Sequence, residues 1–442
     1  MIKPLNLLVA LLTTMIVFGQ QGFTLEDAKA YAIENNLKLK NGELNIENAR
    51  QQMIETRGMG LPQIDMSGQF NNFINIPVQV ADASAFNPLA QPGDLVEFKM
   101  GTDFTANGTI KASQLIFNGS YIVGLQVARF YQKFETTNTR LTQEDIVFNV
   151  IQAYEIAAVA KENKVFLDSL VIVTEKLVEK QKAYLELDMM LQEDFDQLQY
   201  SLSVARNAAL SADIQYNNGL ALLKFSMGYP ADQPLEINDD TDVLMKKRAV
   251  ANGAITDNLS YTLLSEKVQL SAYNVKNNKF ASWPTLNAFF QHTYNAYRNE
   301  FNLFSSDYKW YPQTLWGLQL NIPVFSGFQR HARVKQAEIQ LLKDQNDLSY
   351  LENSLQFQEV QYKNNYRSAE SRLDLEKQNL ELAKSIYEKS LIREEIGKSN
   401  SIVVTQKYNQ LIQAQAQVIG AKVDLFNAKL QLDKLYNNIL SK

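Results

Sequence analysis

The chain of 442 residues contains no cysteine. That excludes disulfides, Cys-ligated zinc, a thiol nucleophile and a lipid-modified N-terminal cysteine. Histidine is nearly as scarce: only His292 and His331 occur, and neither has a metal-ligand set around it in sequence. No excess of basic residues exists. The net charge is −5, which argues against a nucleic-acid partner. No nucleotide motif or nucleophile–base set stands out, so no enzyme, cofactor or metal is expected. After the N-terminus no stretch reaches the ~20 apolar residues of a spanning helix. If this chain crosses a membrane, it does so as strands. The N-terminus itself reads as a signal peptide over 1–19. Lys3 supplies the charge, Leu5 to Phe18 the apolar core and Gly19 the small residue before cleavage.

Proline is rationed rather than absent. The ten prolines leave two long tracts empty, Gly93 to Tyr229 and Val324 to the C-terminus. Both tracts are rich in Gln, Glu, Leu, Lys and Ala, a helix-forming composition without helix breakers. In the last tract Leu411, Val418, Leu425 and Leu432 recur every seven residues, with Ala414, Ala421, Ala428 and Leu435 at the second heptad position. Four such heptads indicate coiled-coil packing with a close-approach seam.

The chain repeats itself. Ala32-Ile33 and Asn36-Leu37 match Ala254-Ile255 and Asn258-Leu259, a shift of 222 that also relates Pro62 to Pro284. Phe117-Asn118-Gly119 matches Phe325-Ser326-Gly327 at 208, and Leu202, Ala205 and Ala212 match Leu411, Ala414 and Ala421 at 209. A repeat of this length is a duplicated domain-sized unit. The expected layout is a first repeat over 20–229, a linker or equatorial segment over 230–253 and a second repeat over 254–442. The first repeat has strands near 62–76 and 99–117, a long helix near 120–185 and a return helix near 190–228. The second has strands near 284–298 and 313–324, a long helix near 329–392 and a return helix near 401–440.

The strand candidates alternate. Ile64, Met66 and Phe70 interleave with Asp65, Ser67 and Gln69; Trp316, Leu318 and Leu320 with Gly317 and Gln319. One face of each strand therefore meets something apolar and the other meets water. If the apolar side meets lipid, Asp65, Gln69, Asp103, Lys111, Asn287 and Gln319 face a lumen. Tyr308, Trp310, Tyr311 and Trp316 are then candidate membrane-interface aromatics. A half-buried soluble sheet produces the same alternation. Four strands cannot close a barrel, and open edges cannot sit in lipid. Several chains must then pool their strands, and three would give twelve.

These fragments, with the opening TLEDAKAYAIENNLKLK, the strand starts LPQID and WPTLN, and the corners LIFNG and PVFSG, resemble the TolC family of outer-membrane efflux proteins along essentially the whole mature chain. The resemblance implies an α + β membrane protein of a Gram-negative outer membrane, reaching into the periplasm. It implies a homotrimer sharing a 12-stranded β-barrel, continuous with a long α-helical coiled-coil barrel, that works as the exit duct of a tripartite efflux or type I secretion system. Its partners would be a periplasmic adaptor and an inner-membrane pump, with outer-membrane lipid around the strands. The resemblance also implies a periplasmic entrance at the helix-to-helix turns, which here contain Asp188, Met189, Glu193, Asp194 and Asp196, then Gly397, Lys398 and Ser399. Asp188 replaces the family's Gly; Lys398 and Val403 depart from the pattern in the second copy. The same residues also suit a plain solvated charged turn. An alternative for the whole chain is a structural or adhesive coiled-coil protein of the periplasm or cell surface. The cargo is not legible.

Overall fold

The computed structural model describes residues 22–440 apart from 87, 92, 248–251, 304 and 306; the signal-peptide segment 1–19 lies outside the described residues. The chain is mostly helical with a smaller β component. It forms two compact units, one of 1–44, 136–264 and 348–442, the other of 45–135 and 265–347.

The first unit is helical. Helix α1 (Leu25–Asn35) starts with a reciprocal cap: the Thr24 hydroxyl accepts from the Asp27 amide at 3.2 Å, and the Asp27 carboxylate accepts from the Thr24 amide at 3.1 Å. Helix α2 (Leu37–Gly58) follows. Helices α3 (Gly119–Glu186) and α7 (Gln329–Glu395) are the long ones, 68 and 67 residues. At about 1.5 Å per residue each has a contour near 100 Å. Each is followed by a return helix, α4 (Gln192–Met227) and α8 (Ser401–Leu435). The short α5 (Thr241–Lys247) and the start of α6 (Leu259–Phe280) complete the unit, to which α2 contributes only residues 37–44, α3 136–186 and α7 348–395.

Its main core joins Val147, Val150, Tyr154 and Ala157 of α3 to Leu223 and Met227 of α4, Ala28 and Ala32 of α1, and Phe426 and Leu430 of α8. Small residues set the spacing. A Cβ on Gly219 would stand 3.1 Å from the Ala157 Cα, so α4 and α3 touch nearly backbone to backbone there. Ala369 and Leu373 of α7 pack on Val418, Ala421, Leu425 and Ala428 of α8, which is the heptad seam read from sequence. Ala414 departs from it and is only half-buried, the neighbouring Gln415 taking the buried place. Helix α5 is pinned by the buried Lys422, whose ammonium donates to Glu162 at 2.6 and 2.7 Å and to the Thr241 hydroxyl at 3.0 Å.

Equivalent chemistry recurs at the spacings read from sequence. The Asn36 amide donates to the Ser226 carbonyl at 3.1 Å, and the Asn258 amide to the Leu435 carbonyl at 3.2 Å. Both return helices end in a left-handed residue, Gly228 at φ 72° and Asn437 at φ 55°.

The second unit holds a four-stranded antiparallel sheet ordered β1-β4-β5-β6: β1 (Gln63–Asn72), β4 (Phe104–Asn118), β5 (Thr285–Arg298) and β6 (Tyr311–Asn321). The segment between β1 and β4, expected as a plain loop, carries its own hairpin, β2 (Val78–Asp82) and β3 (Leu95–Lys99). The two Phe-x-Gly corners are alike in sequence but need glycine for different reasons. A Cβ on Gly119 would meet the Phe280 carbonyl at 3.0 Å, whereas Gly327 takes φ 57° with open space around it.

Candidate functional site

Two regions collect the singled-out residues, one in each unit. In the helical unit, both long helices end in the same turn. Asp188 has φ 54° and donates its amide to the Leu185 carbonyl at 3.0 Å; the Met189 amide reaches the Tyr184 carbonyl at 2.9 Å. Gly397 has φ 69°, with its amide on the Glu394 carbonyl at 3.0 Å and the Lys398 amide on the Arg393 carbonyl at 2.7 Å. This double closure satisfies the last free carbonyls of a helix. Asp188 thus takes after α3 the left-handed place that Gly397 fills after α7, which the short polar aspartate tolerates. The return helices begin differently. The Asn400 side chain caps the Val403 amide at 3.1 Å, while Leu191 offers no side-chain cap.

The turns share a cavity of about 520 Å³. Met189, Asp194, Gly397 and Ser399 line it together with Gln181, Tyr184, Glu394 and Asn400. Asp188, Glu193, Asp196 and Lys398 are not among its lining residues; Asp196 instead accepts from Gln192 at 2.7 Å. The bond between the two long helices was not legible in the sequence: Lys180 pairs with Glu395 at 3.0 Å, and Gln181 donates to Glu394. Burial pushes the Glu394 carboxyl above the ordinary range, against the pull of Lys180. Lys180 is itself raised, chiefly by its bond to Glu395. Behind the turns, Leu170, Ala205, Tyr387, Val404 and Tyr408 form a compact cluster, and Ser201 bonds Thr405 at 3.0 Å to tie α4 to α8. Burial pushes the Tyr387 and Tyr408 hydroxyls up to about 12.

In the sheet unit, register decides which residues share a face, since directly opposed residues point the same way. Asp65 opposes Lys111, Gln69 opposes Asn107, Lys111 opposes Gln291 and Asn287 opposes Gln319. Five of the six proposed lumen residues therefore lie on one face. Asp103 is the exception in position, one residue ahead of β4, where its carbonyl accepts from Phe73 at 2.7 Å. The other face carries Ile64, Met66, Phe70, Ile110, Phe290, Trp316, Leu318 and Leu320, all exposed, Met66 at 82% and Trp316 at 76%. The register divides the four aromatics. Trp316 opposes Phe290 on the apolar face, but Tyr311 opposes Asn295 on the polar face and so does not align with it. Tyr308 and Trp310 precede β6, Tyr308 beneath the Arg298 guanidinium at 5.1 Å. Phe70, Phe104 and Phe301 form a further aromatic group, their rings about 6 Å apart. It was missed because Phe301 lies in a connecting segment whose sequence has no period. Among the described residues no helix is long and apolar enough to cross a membrane.

Residues 265–438 match the family model described as outer membrane efflux protein. Over 93–94% of its length the chain shares the fold of solved outer membrane channel proteins. It is similar to the outer membrane protein VceC of Vibrio cholerae, with 13% identity over 93% of this chain and 95% of that one and a TM-score of 0.71. Similar too are the open state of the MtrE outer membrane channel of Neisseria gonorrhoeae (15%, 94% and 89%, 0.72) and the CmeC outer membrane channel of Campylobacter jejuni (17%, 94% and 85%, 0.70). No curated protein matches the sequence.

Proposed function

We propose that the chain is an outer-membrane channel, the exit duct of a tripartite efflux or type I secretion machine, assembled as a homotrimer from two structural repeats per chain. The observation that carries the reading is the two-faced sheet: a continuous exposed apolar face, a polar reverse, and two edge strands, β1 and β6, whose outer sides pair with nothing among the described residues. In water such a surface is a liability. In lipid the apolar face is satisfied, and the open edges must be closed by neighbouring copies. Strand length fits. The 10 and 11 residues of β1 and β6 are those of tilted membrane strands, for which about 9–11 suffice. Three copies contribute twelve strands around a water-filled lumen lined by Asp65, Gln69, Lys111, Asn287 and Gln319.

The helices then run into the periplasm, and the turns at Asp188 and Gly397 form the entrance. Their shared cavity, with the Lys180–Glu395 and Gln181–Glu394 bonds, makes them one movable unit of α3, α4, α7 and α8. Opening separates helix ends; transport is passive, with energy from an inner-membrane pump reached through a periplasmic adaptor. Segment 1–19 is read as the leader for export. Fractionation tests the assignment. The chain is expected in the outer membrane as a heat-labile trimer that conducts ions in planar bilayers. Recovery as a monomer, or as a soluble coiled coil without conductance, would overturn it.

A further inference from the structure

The described residues of the 31-residue connection between β1 and β4 are organised well beyond what a connection requires. The ladder of β1 and β4 ends at the Asn72–Phe104 pair, is carried on by Phe73 donating to the Asp103 carbonyl at 2.7 Å, and resumes with Met100 donating to the Pro77 carbonyl at 3.1 Å. Between these contacts lie Pro77 and Gly101, the latter at φ 140°. Beyond this joint, β2 and β3 pair in register from Val78–Lys99 to Asp82–Leu95. The loop at the hairpin's end is tied down. Asp82 accepts from the Ser84 hydroxyl at 2.6 Å, the Ser84 amide at 2.9 Å and the Gly93 amide at 3.2 Å, bonds that hold its carboxyl below the usual range, and Phe86 packs edge-on against Phe98 at 5.9 Å. Yet this sheet has two strands only, and its apolar side chains Val78, Val80, Leu95 and Phe86 are exposed. A lone two-stranded hairpin is marginal in water, and both its edges are open.

We propose that this hairpin packs against the same hairpin of the other two copies and closes the outer mouth of the channel. The inference rests on the trimeric channel reading, which puts residues 73–103 at the strand ends away from the helices, outside the cell, three times around one axis. Charge selects the occupant. The segment carries Asp82, Asp94, Glu97 and Asp103 against Lys99 alone, so phosphate-bearing lipid headgroups repel it. A copy fits better: Val78, Val80 and Leu95 share one face with Glu97, Lys99 and Asp82, the last held by the turn, so apolar contact and a Lys99–Glu97 pairing between copies are both available on the surface that meets its equivalent. The Pro77–Gly101 joint lets the hairpins part when cargo arrives from the lumen.

The natural absence of cysteine makes the test clean. Val80→Cys and Leu95→Cys are introduced singly, and intact outer membranes are treated with a short bismaleimide. Chain-to-chain cross-links at both positions are expected, with none from Phe225→Cys, an exposed helix position. Replacing residues 78–99 by a short Gly-Ser turn is expected to raise single-channel conductance and the entry of large external solutes while the heat-labile trimer persists. An intact trimer that fails to cross-link at either position, or whose Leu95→Cys reacts freely with an external maleimide, overturns the mouth closure alone. A chain recovered only as monomer overturns the channel reading itself.

Discussion

Glu144 shows how much one residue decides. Its side chain sits in the packed face of α3 at 1% exposure, and one carboxylate oxygen has no hydrogen-bond partner. Burial pushes its pKa up to about 7, against the opposing pull of Lys434. The sign follows from linkage. In the fold the group holds its proton to about pH 7, whereas unfolded it releases it near the ordinary glutamate value of 4.5. The fold therefore loses stability as pH rises from about 4.5 through 7, by on the order of 3 kcal/mol per chain. Glu144→Gln is expected to flatten that decline and to raise the midpoint of thermal unfolding at pH 8 more than at pH 5; equal midpoint shifts at both pH values would contradict this. The sequence shows Glu144 only as one carboxylate among many in a Glu-rich helix. Which of them is buried is a property of the neighbours it meets. Asp188 is different, because its αL place was readable from its alignment with Gly397, and the structure gives φ 54°. Asp188→Lys or Asp194→Lys is expected to change conductance or adaptor-dependent export while leaving the trimer intact; wild-type behaviour of both in both assays would remove the entrance reading's main support.

Among the elements, periodic ones were the legible ones. The proline-free tracts gave the helices, and two-residue alternation gave β1 and β6, because both signals are written locally by which side chains meet water. The β2–β3 hairpin was not legible. Its strands are five residues each and its turn spans twelve residues with Pro88 and Pro92, so it reads as loop. The cavity at the turns was half legible. Met189, Asp194, Gly397 and Ser399 come from the turn motif, but Gln181 lies about two helical turns and Glu394 about one turn earlier, and they meet only because α3 and α7 pack side by side. The heptad seam makes a graded prediction. Ala421 is wholly buried against α7, whereas Ala414 is half-buried. Ala421→Leu is expected to cost ~1–3 kcal/mol through overpacking, and Ala414→Leu distinctly less. Thermal dissociation of the two assembled variants checks the order, and the reverse order would show that copies, rather than α7, crowd residue 414.

For the molecule as a whole, the sheet edges matter most. An unpaired backbone group in lipid costs several kcal/mol, so a chain that leaves β1 and β6 open cannot enter a membrane singly. Proline on the β6 side is expected to be tolerated at Pro312, where the natural chain already has one, and to be severe at Leu318. Leu318→Pro should abolish the trimer band and outer-membrane recovery together; recovery of a stable trimer would place β6 away from any junction between copies.

The register of the sheet carries a further consequence. Every face assignment from β1 to β6 depends on parity: odd-numbered residues lie on the polar side and even-numbered ones on the apolar side along most of all four strands. Copies joining edge to edge can thus meet only at alignments that differ by two residues, roughly 7 Å along the strand, because a single-residue slip would turn polar groups into lipid. On the trimeric channel reading, assembly is therefore digital. It has a short list of admissible alignments with forbidden ones between them, and a faulty junction cannot relax gradually but must come apart and re-form. One residue inserted near the middle of β6 should block assembly, and a second beside it should restore it in part, a reading-frame behaviour written in side chains instead of codons.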